Sequence, residues 1–153
     1  MSPFLVFFVS GLSFGLPLDS VRRALAAVAP RPLPAAPDIV CGIVDLQGDI
    51  VPVVNLRRRL GLPDRDIDPG DRMLIVRSRE RTLALVVDAV GDVLTCDDTE
   101  VVPVDSVVSG TRHVTGVVKT ADGLLLIHDL DGFLSPAESL ALDAALAPND
   151  RTP

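Results

Sequence analysis

The chain has 153 residues, 48% hydrophobic and 23% charged, with two cysteines and a formal net charge of -7. A disordered segment would hold fewer aliphatics, a disulfide scaffold more cysteine and a collagen a glycine at every third position, so a globular unit is what remains. The acidic balance also argues against a nucleic-acid partner, because phosphate contacts need a concentrated basic face and single strands need stacking aromatics. Tryptophan and tyrosine are absent while valine supplies 22 residues, a composition that favours pleated strands.

The first eighteen residues are uncharged, but Ser10, Gly11, Ser13, Gly15 and Pro17 interrupt them. Arg22 and Arg23 follow the apolar run, the reverse of the order a signal peptide needs. Phe4 to Val9, a Ser10-Gly11 turn and Ser13 to Leu18 therefore predict a β-hairpin, and a cytoplasmic protein with no direct membrane insertion. Cys41 and Cys96 read as inert small hydrophobes in such a compartment. Pro30, Pro32, Pro34 and Pro37 mark an extended surface connection. Ile39 to Leu46 and Ile50 to Leu56 form a second strand pair around Gln47-Gly48-Asp49, and Arg57 to Leu60 is one helical turn. Arg57, Arg58 and Arg59 form the basic run, which reads as a solvated segment end with one arginine in use. Gly61 to Arg72 is a loop of alternating Asp and Arg, read as a solvated acidic turn.

Met73 to Arg77 and Leu83 to Val87 predict a third hairpin, followed by strands at Val90 to Thr95 and Val101 to Val104 and a polar loop from Asp105 to His113. Val114 to Thr120 and Leu124 to Leu130 flank Ala121-Asp122-Gly123 as a last hairpin. Ser135-Pro136-Ala137-Glu138 is a capping box with proline at the first helical position, which predicts a helix from Pro136 to Leu146.

Internal repetition organises these elements. Leu16-Pro17-Leu18-Asp19-Ser20-Val21 aligns with Leu85-Val86-Val87-Asp88-Ala89-Val90. Gly42, Leu56 and Leu60 keep the mutual spacing of Gly116, Leu130 and Leu134. Two halves on one plan predict an all-β domain over residues 1–146 made of two small barrels, about 4–72 and 73–134 with possible exchange of segments, and a tail at 147–153. Each half is too small for an independent core, so their interface should be apolar and extensive.

No catalytic motif emerges. The histidines, His113 and His128, lack metal-ligand spacing, and no nucleophile elbow, phosphate loop or dinucleotide fingerprint occurs. His128 and Asp129 alternate to opposite faces of a strand. The remaining class is a binding module without metal or cofactor, in which two barrels offer a groove and separate edges.

The segment Gly42-Ile43-Val44-Asp45-Leu46-Gln47-Gly48-Asp49-Ile50-Val51-Pro52-Val53-Val54-Asn55-Leu56-Arg57 resembles the central signature of the CheW family of chemotaxis coupling proteins. Phe4 to Phe7, Leu16 to Val21, Val86 to Val90 and Gly116 to Leu134 resemble that family in order and spacing as well. The resemblance implies two intertwined five-stranded SH3-like barrels with a short C-terminal helix. It implies a non-enzymatic adaptor, without cofactor, between chemoreceptor cytoplasmic tips and the regulatory domain of a CheA-like histidine kinase, recruited to membrane-associated receptor arrays. The partner-binding positions it implies are Val21, Arg23, Gly42, Gln47, Arg57, Met73 and Leu74, although Val21, Met73 and Leu74 are equally readable as core and Gly42 as a backbone requirement. Three positions depart from the family pattern: Gln47 stands for the usual arginine, Arg23 for a common glutamate, and Asn55 for aspartate. An alternative is a CheW-like interaction module of another two-component or chemosensory pathway with a different partner.

Overall fold

A computed structural model describes residues 2–103, 114–120, 123–128 and 130–147. The expected Asp105–His113 loop, the Ala121-Asp122 turn, Asp129 and the end of the tail lie outside them. The strands are β1 (Ser2–Val9), β2 (Leu12–Pro17), β3 (Val21–Ala26), β4 (Val40–Leu46), β5 (Asp49–Val54), β6 (Arg72–Arg77), β7 (Thr82–Val87), β8 (Ala89–Cys96), β9 (Val102–Pro103), β10 (Val114–Thr120) and β11 (Gly123–His128). A single helical turn, α1 (Leu56–Arg59), follows β5, and α2 (Pro136–Leu146) closes the described chain with its capping box formed.

The strands make two sheets, ordered β8-β1-β2-β11-β10-β9 and β3-β6-β7-β5-β4. Apart from the two-residue β9, the two orders are the same pattern: β8, β1, β2, β11 and β10 correspond to β3, β6, β7, β5 and β4. In each sheet one contact is parallel, β11 with β2 and β5 with β7. Each repeated hairpin carries a register shift beside its glycine, at Val40/Gly42 and at Val114/Gly116. Sheet membership does not follow a division at residue 72, since β6 and β7 lie with β3, β4 and β5, and the N-terminal hairpin joins the C-terminal strands. Among the described residues the sixth strand, and end strands that do not pair with each other, distinguish this arrangement from two closed five-stranded barrels, while the all-β class and the intertwining are as expected.

Tight turns set the registers. Ser10-Gly11 and Gln47-Gly48 both have positive φ at each central residue, the twist-matched geometry of two-residue hairpins. Strand β3 is absent from the sequence reading for a physical reason. It is an edge strand whose Arg22, Arg23 and Ala24 are all exposed, and a register shift between Val21 and Arg23 removes apolar alternation.

The largest apolar cluster is shared by both sheets, bringing Phe7, Phe14 and Leu16 together with Val54, Leu74, Val76 and Leu85, and with Phe133 and Leu142. Smaller clusters fill each sheet's own concavity, one on Val51, Met73 and Ile75 and one on Phe4, Val118 and Leu125. Strand β6 links two of these cores: Met73 and Ile75 face its own sheet's cluster, while Leu74 and Val76 face the shared one.

Candidate functional site

The arginine run is fully used, contrary to the solvated reading with one arginine engaged. One helical turn sends three consecutive side chains in three directions. Arg57 binds both carboxylate oxygens of Asp88 at 2.8 and 2.9 Å, Arg58 pairs with Asp64 at 2.8 Å, and Arg59 pairs with Glu138 in the α2 capping box. Asn55 caps the turn by accepting from the Arg58 amide and donates to Asp64. An aspartate at 55 could cap equally but would face Asp64 with a second negative charge. Hydrogen bonds from Asn55 and Arg58 hold the Asp64 carboxyl below its ordinary value. Asn55→Asp is therefore expected to raise the Asp64 pKa, which a carboxyl NMR titration would read; an unmoved Asp64 would contradict this account.

The acidic loop is likewise no solvated turn. Asp71 is 4% exposed and accepts from both Arg65 terminal nitrogens, at 2.7 and 2.9 Å, and from the Asp68 amide at 2.9 Å. Arg65 also reaches Asp88 at 2.8 Å, and Asp88 in turn accepts from the Ser10 amide at 2.8 Å. Asp88 lies between β7 and β8, where the chain passes from one sheet to the other. It thus ties together the β1–β2 turn, α1 and the 61–71 loop. The sequence signal for this hub was a lone carboxylate between two apolar runs, too weak to reveal its partners.

The implied partner-binding residues separate into two groups. Met73 and Leu74 are both 0% exposed and pack in the two clusters that β6 joins, so their side chains lie away from the surface of this fold. Gly42 is also buried, its backbone at φ 153° beneath the Arg31–Ile43 bridge. Arg57, expected exposed, is the second residue of α1 and keeps 14% side-chain exposure because it is spent on Asp88. Val21 is half-buried against the shared core. Arg23 and Gln47, by contrast, are exposed and line one groove of about 520 Å³. Its walls come from the start of β3, the β4–β5 hairpin, the β6–β7 hairpin and the end of α2, with Leu46, Ile50, Val51, Pro52, Ile75 and Leu146 as the apolar part. The two departures from the family pattern that remain at the surface are therefore neighbours in one concavity.

Among the described residues no group of three or more His, Cys, Asp or Glu side chains could hold a metal ion. His128 is buried and stacked on Phe133 at 4.2 Å. No described helix is long and apolar enough to cross a membrane. Paired SH3-like sheets around a common core, with a groove at one sheet's open end, define an interaction module.

The chain belongs to the CheW-like family, whose domain model matches residues 3–138. It is 29% identical over 140 residues to the chemotaxis protein CheW of Bacillus subtilis (strain 168), covering 88% of each chain. It is 25% identical over 142 residues to the CheW of Klebsiella aerogenes, covering 92% of this chain and 86% of that one. Among solved structures it resembles the scaffolding protein TtCheW of Thermoanaerobacter tengcongensis with a TM-score of 0.81 at 28% identity, over 90% of this chain and 94% of the other.

Proposed function

We propose that this protein is a chemotaxis adaptor that couples chemoreceptor cytoplasmic tips to the regulatory domain of a CheA-like histidine kinase, and that it is cytoplasmic and recruited to receptor arrays at the membrane. The observation that carries this is the match over nearly the whole chain to CheW proteins, one of them described as a scaffolding protein. The adaptor catalyses nothing and holds no cofactor; it works by presenting two surfaces on one stiff body. The shared core and the Asp88 hub fix one sheet relative to the other, so a change imposed at one surface shifts the other with it.

Calorimetric titration against the regulatory domain of a CheA-like kinase from the same organism tests the proposal, with saturable binding expected. Absence of binding to any such kinase would favour the module of another signalling pathway, a reading supported by Arg23 and Gln47 in the groove. For the receptor surface, Gln47→Arg combined with Arg23→Glu restores the charge order usual in the family. Binding to conventional receptor tips is expected to strengthen about fivefold, the size of an exposed charge pair. Unchanged affinity would remove these two positions from the receptor surface.

A further inference from the structure

The groove holding Arg23 and Gln47 also carries a charge distribution that the rest of the chain does not explain. Arg57, Arg58, Arg59, Arg65, Arg79 and Arg81 each have a carboxylate partner. Among the described residues Arg22, Arg23, Arg31, Arg72 and Arg77 form no ion pair, and three of these five, Arg22, Arg23 and Arg77, line this one groove. Among the described residues lining the groove, Asp49 supplies the one carboxylate. A protein of net charge -7 thus concentrates unneutralised guanidinium groups around an apolar floor, where Ile50 is 51% exposed and Ile75 is buried. With Asp49 against three unpaired guanidinium groups, self-repulsion at the site is only partly offset, which leaves the rest of the complement to a partner.

We propose that this groove binds an acidic protein segment, in which an aliphatic side chain seats on Leu46 and Ile50 while flanking Asp or Glu side chains pair with Arg22, Arg23 and Arg77. The inference deepens the adaptor reading by naming the chemistry of the partner at this surface, and rests on that reading for treating the surface as a docking site. Guanidinium groups suit carboxylates because their planar donors match two oxygens at once. The apolar floor argues for a protein segment over a nucleic acid, since the groove offers no aromatic ring on which a base could stack.

The test needs neither kinase nor receptor, so its failure is distinct from failure of the adaptor reading. Short random peptides displayed on phage are selected on the full chain, and enriched peptides are titrated by fluorescence anisotropy. Enriched sequences should be net negative with an interspersed Leu, Ile or Val. Their affinity should fall at least about tenfold with Arg22→Glu, Arg23→Glu and Arg77→Glu combined, several-fold with Ile50→Ala, and steeply with salt. All four side chains are exposed, and melting curves will show that the variants fold. Neutral or basic enriched peptides, no enrichment, or indifference to the charge reversal would overturn the proposal. So would binding of a single-stranded oligonucleotide or phosphatidylglycerol vesicles that the same reversal abolishes while acidic peptides fail to bind.

Discussion

Gly42→Ala is expected to destabilise the protein by about 3 kcal/mol and to lower its melting temperature by about 10 °C. Gly42 has φ 153°, a conformation that side chains with a Cβ rarely adopt, and a Cβ built there overlaps the Arg31 carbonyl oxygen. It would also lie 2.8 Å from the Arg31 carbonyl carbon and 3.2 Å from the Pro30 Cβ. The obstacle is backbone, which cannot step aside by changing rotamer. Arg31 is held to Ile43 by two hydrogen bonds of 2.8 Å each, which cover the edge of β4. Relief of the overlap requires breaking that bridge, so about two net hydrogen bonds and the backbone strain together set the magnitude.

The equivalent position in the other half provides the control. A Cβ at Gly116 meets the Val101 Cγ1 at 2.6 Å and the Val102 carbonyl oxygen at 3.3 Å; the nearer atom belongs to a side chain, which shifts more readily than a bridged backbone carbonyl although β-branching limits its rotation. Gly116→Ala should therefore cost about 1 kcal/mol. Thermal melts followed by circular dichroism would decide: equal losses at the two glycines, or a Gly42→Ala protein that melts with the wild type, would show that the Arg31 carbonyl gives way. The prediction assigns Gly42 to the fold, so any loss of partner binding in its variants should track loss of structure.

The same pair of glycines shows what the sequence reveals and what it conceals. Their equal spacing to Leu56/Leu60 and Leu130/Leu134 exposes the repeat, because each half needs its glycine, strand end and helical turn at one distance. Alternation and turn residues place the hairpins, and the Ser135–Glu138 box fixes the start of α2, since those signals are local. Which hairpin enters which sheet is not local. The exchange of β1–β2 into the C-terminal sheet depends on the parallel β2–β11 and β5–β7 contacts, between segments far apart in the chain. The candidate site divides in the same way. Arg23 and Gln47 stand out because they break a family pattern, and they do line a common groove. The sequence leaves Met73 and Leu74 equally readable as core or interface, because a strand lying between two cores has no polar face to decide between them. The basic run is misread as solvent-facing because its acids, Asp88, Asp64 and Glu138, come from three separate parts of the chain.

Asp88→Ala is expected to cost about 2 kcal/mol at neutral pH, lowering the melting temperature by about 5 °C. Truncation leaves Arg57 without the carboxylate that holds its half-buried guanidinium, frees one contact of Arg65, and removes the acceptor of the exposed Ser10 amide. A side-chain exposure of 29% at Asp88 keeps the figure below that of a fully buried pair, since water partly replaces the lost partner. Asp88→Asn keeps an acceptor for the Ser10 amide and should fall between the two. Acid supplies an independent signature. Burial by itself would raise the Asp88 pKa, but the Ser10 amide, Arg57 and Arg65 outweigh it and hold the carboxyl below its ordinary value. Asp71 is lowered in the same sense, with burial opposed by Arg65 and the Asp68 amide. A depressed folded-state pKa means that the unfolded chain takes up protons first as pH falls, so the stabilisation is complete above the unfolded carboxylate pKa of about 4 and disappears as pH drops through the folded value. The gap in melting temperature between wild type and Asp88→Ala should accordingly be full at pH 7 and shrink below about pH 4. A gap of the same size at both ends of that range would mean that Asp88 acts through packing and not through charge. Because Asp88 stands where the chain crosses between sheets, its loss should also loosen one sheet against the other, seen as faster amide hydrogen exchange at the β1–β2 turn and in α1 before any change in β6 or β7.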